Sequence, residues 1–154
     1  MSRAEQYSWA SLIVLSAVFW WFQMQMLDGW AIADQPAPNL LKIYFSVFLA
    51  STIAEVAIAI ILRIAGGGRI DRDERDHAIE ARANQNERIF FLVVINVIIW
   101  QSIWDGVFAD LPLPRIDLAS LPSLVFVMFT ILFAGEMVKR VSTIWLYRSQ
   151  SPVV

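Results

Sequence analysis

RIAGGGRIDRDERDHAIEARANQNER, residues Arg63–Arg88, carries six of the twelve Lys and Arg of the chain and six of its fourteen Asp and Glu. It separates two strongly apolar halves, and each half reads as two membrane-spanning helices joined by a short loop. Working outward, apolar blocks lie at about 8–27, 41–62, 89–104 and 122–144. Twenty residues at about 1.5 Å each span ~30 Å, the thickness of a hydrocarbon core. The block at 89–104 is shorter, and it is expected to continue as one helix from the charged stretch. The second block carries one acid, Glu55. Its twelve Leu, Ile, Val and Phe between Leu41 and Leu62 favour insertion by roughly 5 kcal/mol together, against about 3 kcal/mol for one acid near the middle. Insertion wins. The fold class is an all-α integral membrane four-helix bundle, built as two helical hairpins in a single transmembrane domain, 1–154, with 63–88 as a cytoplasmic loop.

Composition agrees. Of 154 residues, 58% are hydrophobic and 13% aromatic, above the usual apolar content of soluble domains, and mean hydropathy is +0.57. Without Cys the chain has no thiolate metal site, disulfide or Cys nucleophile. Ala31-Ile32-Ala33 has the form of a signal cleavage site. The apolar run Leu12–Phe22 ends well before it, however, so the first block is read as a retained span.

Basic residues orient the bundle. Arg3, the six Arg of the middle stretch, Lys139, Arg140 and Arg148 fall on one side, and only Lys42 and Arg115 on the other. The basic-rich side is cytoplasmic in the inner (plasma) membrane of a bacterium, so both termini are expected there. Tyr7, Trp9, Trp145 and Tyr147 are expected at the inner interface. Trp20, Trp21, Trp30, Tyr44, Trp100 and Trp104 are expected at the outer one. The two outer loops share a pattern: Asp28-Gly29, Ala33-Asp34 and Pro36-Ala37-Pro38 can be set against Asp105-Gly106, Ala109-Asp110 and Pro112-Leu113-Pro114. A tandem duplication would produce this. Helix-ending turns that use Gly and Pro would produce most of it too.

Glu55 is the sharpest candidate for function. Counted from the inner ends of their spans, Glu55 and Asn96 lie at matching depth, ~10 Å in, with Ser16 at a similar level and Ser51 one turn from Glu55. These four form an expected intramembrane polar cluster, with Glu55 hydrogen-bonded to Asn96. Intramembrane acids mark proton or cation sites; the structural alternative is a carboxyl that ties helices together. Glu136 is expected to pair locally with Lys139 or Arg140. Asp73, Asp76, His77 and Glu80 include metal-ligand types, and His77 and Glu80 share a helix face. A single His cannot complete the paired ligand sets of di-iron bundles, so a solvated charged face is the better account. No catalytic, cofactor or metal motif is present. Six Arg matched by six acids in the middle stretch lack the net positive charge that direct nucleic-acid binding requires.

The Gly-rich turn, Asp73-Glu74-Arg75-Asp76, the Ile79-Glu80 step, and Arg82 and Arg88 before an apolar helix resemble a family of small, uncharacterised prokaryotic inner-membrane proteins. That family has four helices and a D-E-R motif in its cytoplasmic loop. The resemblance implies the same layout and, since some members are partnered with a small helix-turn-helix regulator, a cytoplasmic protein partner. It implies no catalytic residue. The leading expectation is therefore a non-enzymatic regulatory, sensory or assembly protein. It would meet its partner through the charged helix, on a surface of Asp73, Glu74, Arg75, Asp76, His77 and Glu80. The alternative is a proton- or cation-handling bundle centred on Glu55. Besides a cytoplasmic protein, the expected partners are the lipid bilayer and a second copy of the chain.

Overall fold

A computed structural model of the chain describes residues 3–65, 74–107 and 118–149. It contains α1 (Arg3–Met26), α2 (Ala37–Ala65), α3 (Glu74–Val107) and α4 (Leu121–Ser149). All four are long and apolar enough to cross a membrane, and the molecule is an all-α four-helix bundle. Each helix is longer than its apolar block, at 24, 29, 34 and 29 residues. The continuous helix expected through the charged stretch is present from Glu74 onward, about 50 Å long in all. The 34 residues of α3 thus include both a span and a charged extension.

Short-range chemistry sets the turns. After α1, β1 (Leu27–Asp28) pairs antiparallel with β2 (Ala31–Ile32), Asp28 opposite Ala31. Gly29 sits at φ 64°, the left-handed region, at the first central position of this two-residue turn. A type II′ hairpin turn places Gly there because a Cβ would be strained. Ala33 N–H then donates to Met26 C=O at 2.9 Å, closing the hairpin. The other D-G step behaves differently: α3 runs through it to Val107, so its backbone is helical rather than turned. The two outer segments are therefore unlike at the step that opened their comparison, and 108–117 lies outside the described residues. At the start of α4, the Ser120 hydroxyl accepts from Ser123 N–H at 3.3 Å, an N-cap. Pro122 occupies the first turn, where its missing N–H costs nothing.

The helices pack in the order α2, α1, α4, α3. α1 lies against both α2 and α4, and α4 against both α1 and α3, whereas α2 and α4 meet at few points. The larger core lies between α1, α2 and α4, around Phe22, Met26, Leu40, Val47 and Phe133. Phe22 stacks on Phe129 with centroids 5.1 Å apart, and Phe19 lies 5.3 Å from Phe133. Outward faces are apolar as well: Leu92, Val93, Val97 and Ile103 of α3 are all more than half exposed. An exposed apolar surface of this extent is stable only in lipid. The chain is a multi-pass membrane protein.

α3 and α4 are closely joined over the C-terminal half of α4, while toward its N-terminus a groove of about 720 Å³ lined by Val97, Gln101, Phe126 and Thr130 separates them. A Cβ on Gly135 would run into the tip of the Phe91 ring, so glycine leaves the room that ring occupies. Lys139 Nζ lies 3.6 Å from Glu87 Oε2, and Asn86 Nδ2 donates to Ser142 Oγ at 3.1 Å. Toward the charged end, Ile79 is buried against Leu146 and Tyr147, with Ala4 of α1 beside them. The charged extension of α3 thus has a dry side, supplied by the tail of α4.

Candidate functional site

Glu55 is the centre of a polar cluster drawn from three helices. From α1, Tyr7 O–H donates to Glu55 Oε2 and Ser11 O–H donates to Glu55 Oε1. Four residues apart on one helix, these two hydroxyls share a face and reach the same carboxylate. From α4, Arg140 Nη2 lies 3.6 Å from Glu55 Oε1 and 3.5 Å from Glu136 Oε2. The guanidinium also stands over the Tyr7 ring, 5.1 Å from its centroid, a cation–π contact. Its Nε is buried and has no hydrogen-bond partner among the described residues. Both carboxylate distances exceed hydrogen-bond length. Arg140 is therefore held by charge and by the tyrosine ring rather than by a bidentate fork. Two carboxyl groups thus face one guanidinium.

The cluster occupies an unusual level. Glu55 is ten residues from the end of α2 at Ala65, and Arg140 is nine from the end of α4 at Ser149, so both sit ~15 Å from those helix ends. Two openings meet there. Because α2 and α4 barely touch, a groove of about 650 Å³ runs between them, lined by Tyr44, Val47, Phe48, Phe129 and Phe133 and ending at Glu55, Glu136 and Arg140. On the side of the helix ends lies a more polar cavity of about 370 Å³, lined by Tyr7, Asp76, Glu80, Lys139, Arg140 and Tyr147. Arg140 lines both, and the Tyr7–Glu55 hydrogen bond joins their walls.

The expected cluster of Glu55, Asn96, Ser16 and Ser51 is corrected in its partners. Asn96 is on α3, across the bundle from α2, and is exposed; its Nδ2 donates to Leu92 C=O of its own helix at 2.7 Å. Ser16 is likewise exposed and donates to Leu12 C=O at 2.7 Å. Ser51 lines the groove near Glu55, but its hydroxyl donates to Val47 C=O at 2.8 Å. In an apolar solvent the carbonyl one turn back is the nearest acceptor, so these polar groups are satisfied locally. Tyr7, Ser11 and Arg140 took the places assigned to them. Tyr7 had been expected at the interface and Arg140 in a local pair. The local pair of Arg140 with Glu136 does exist, while Lys139 reaches α3 instead. The i, i+4 spacing of Tyr7 and Ser11, which puts two hydroxyls on one face of α1, is the signal that could have found two of them.

The surface expected to meet a partner is divided. Asp76 accepts from Tyr147 O–H at 2.5 Å, and Glu80 lines the polar cavity. Both therefore face the protein's own helices, and Tyr147 is buried rather than interfacial. Glu74, Arg75 and His77 are exposed, and Asp73 lies outside the described residues. Among the described residues, no three Asp, Glu or His side chains converge as metal ligands.

Taken together, these features define a multi-pass membrane helix bundle in which a carboxylate–guanidinium cluster is wedged between a lipid-open groove and a polar cavity. No known protein family, no characterised protein and no solved structure matches the chain.

Proposed function

We propose that this protein is a non-enzymatic, proton- or cation-handling bundle of the bacterial inner membrane, with both termini in the cytoplasm and Glu55 as its working group. The observation that carries the reading is the meeting of two cavities at a single charged cluster. A carboxylate with hydroxyl donors on one side and a loosely held guanidinium on the other can exchange its counter-charge with little rearrangement. Orientation is supported by the ten basic residues at the end that carries both termini. That end is tied together by the pair of Arg148 with Glu5, 3.7 Å apart.

The test is ion flux in proteoliposomes made with the full chain and with Glu55→Gln. The glutamine oxygen accepts from one of the Tyr7 and Ser11 hydroxyls and its amide N–H donates to the other, so the bundle is kept while the charge is removed. Flux should fall to the empty-liposome level with the melting profile retained; undiminished flux in the variant would end the proposal. A single cysteine at Ala78, which is exposed on the charged extension, checks orientation in a chain without Cys. It should react with a membrane-impermeant thiol reagent only after the cytoplasmic side is opened.

A second reading is favoured by the face that remains on that extension. Glu74, Arg75 and His77 point outward on a helix already ordered by Ile79 and Ala83, a preformed surface for a cytoplasmic regulator or assembly partner. The resemblance to the D-E-R inner-membrane family supports the same role. Replacing the three exposed residues by Ala should abolish co-purification of a partner in mild detergent while leaving flux unchanged.

A further inference from the structure

We propose that the groove between α2 and α4 binds a lipophilic monovalent cation, an ammonium or phosphonium centre carried on an aromatic or alkyl body. This rests on the reading of Glu55 as the working group and names the class of cation. The volume, about 650 Å³, is that of a site for a drug-sized molecule. Its walls are apolar and aromatic along most of their length, with Tyr44 and Phe48 stacked 6.3 Å apart and Tyr44 set edge-on to Phe129 at 5.7 Å. Aromatic faces of this kind attract a desolvated cation. The charge at the groove's end selects the same sign. Glu136 and Glu55 expose 41% and 33% of their side chains, Arg140 only 15%. Of the three charged groups that line the groove, the two carboxylates are the more exposed and the guanidinium the least.

The ion pairs at 3.5 and 3.6 Å are looser than hydrogen bonds, so an incoming cation competes for Glu136 and Glu55 without breaking a tight fork. An anionic amphiphile would face the same two carboxylates and be repelled. A neutral lipid would fill the groove without regard to Glu136.

The experiment uses the full chain in nanodiscs of neutral lipid and compares tetraphenylphosphonium with tetraphenylborate, ions of the same shape and opposite sign. Expected is saturable phosphonium binding with no saturable borate binding. Glu136→Gln should weaken phosphonium binding about tenfold, as expected for loss of one partly desolvated charge partner. Thr52→Trp, which fills the groove at an exposed lining position, should abolish binding without touching the cluster. Both variants are compared with the parent by thermal melting, so a folding defect is visible. Equal or tighter binding of borate overturns the inference in favour of an anionic amphiphile. Phosphonium binding that is absent, or that Glu136→Gln leaves unchanged, also overturns it. If flux of small cations still depends on Glu55 in such a case, the failure belongs to the ligand class; if that flux is absent as well, it belongs to the Glu55 reading itself.

Discussion

α4 has two unlike neighbours. Toward α3 its C-terminal half is closed: Gly135 receives the Phe91 ring, Lys139 pairs with Glu87 and Tyr147 bonds Asp76, and only nearer its N-terminus does a groove separate the two. Toward α2 it is open, and the gap is bridged at one end by Arg140 and Glu55. The difference lies in what each side offers. Small residues and matched polar groups let α3 and α4 approach from Gly135 onward, whereas α2 and α4 touch at few points, Tyr44 on Phe129 among them, and leave space between. Function in membrane bundles is sited where packing is interrupted, because a fully packed seam has no room for an ion or ligand.

The contrast can be broken in order of expected effect. Arg140→Ala leaves Glu55 and Glu136 facing each other without a counter-charge, and should cost about 3 kcal/mol in equilibrium unfolding in detergent. Glu55→Gln should cost less, since the amide can still bond both hydroxyls, accepting from one and donating to the other; the reverse ranking would mean Arg140 does not bridge the open side. Gly135→Ala should cost about 2 kcal/mol through overpacking, and Phe91→Ala in the same chain should recover part of that loss. Without recovery, the closed side is not held at that contact. Tyr147→Phe removes one hydrogen bond to a carboxylate and should lower stability by about 1.5 kcal/mol in the same unfolding measurement. Smallest of all, Glu55→Gln and Asn96→Leu should be additive within about 0.5 kcal/mol, as distant sites are. A coupling well above that would bring α2 and α3 together and overturn the helix order.

Much of this was readable from the chain. Four apolar blocks gave the spans, and the charged bridge gave their grouping, because lipid imposes length and hydrophobicity directly. The extension of α3 before Ile89 was expected because the apolar block at 89–104 is too short to span a bilayer by itself. Helix order was not legible. In a membrane, residues facing lipid and residues facing a neighbour are equally apolar, so Val93 and Val47 look alike although one is exposed and the other buried. The partners of Glu55 were missed for that reason. Depth can be counted along a helix, but which helix lies beside α2 cannot. Asn96 matched Glu55 in level and failed on adjacency.

The link between Tyr7, Glu55 and Arg140 joins α1, α2 and α4. During synthesis the first hairpin enters the membrane with its acid held by two hydroxyls alone, and the balancing guanidinium arrives only with the last helix. A product that stops between α2 and α4 therefore holds Glu55 without its guanidinium, and the cluster is complete only once α4 has docked.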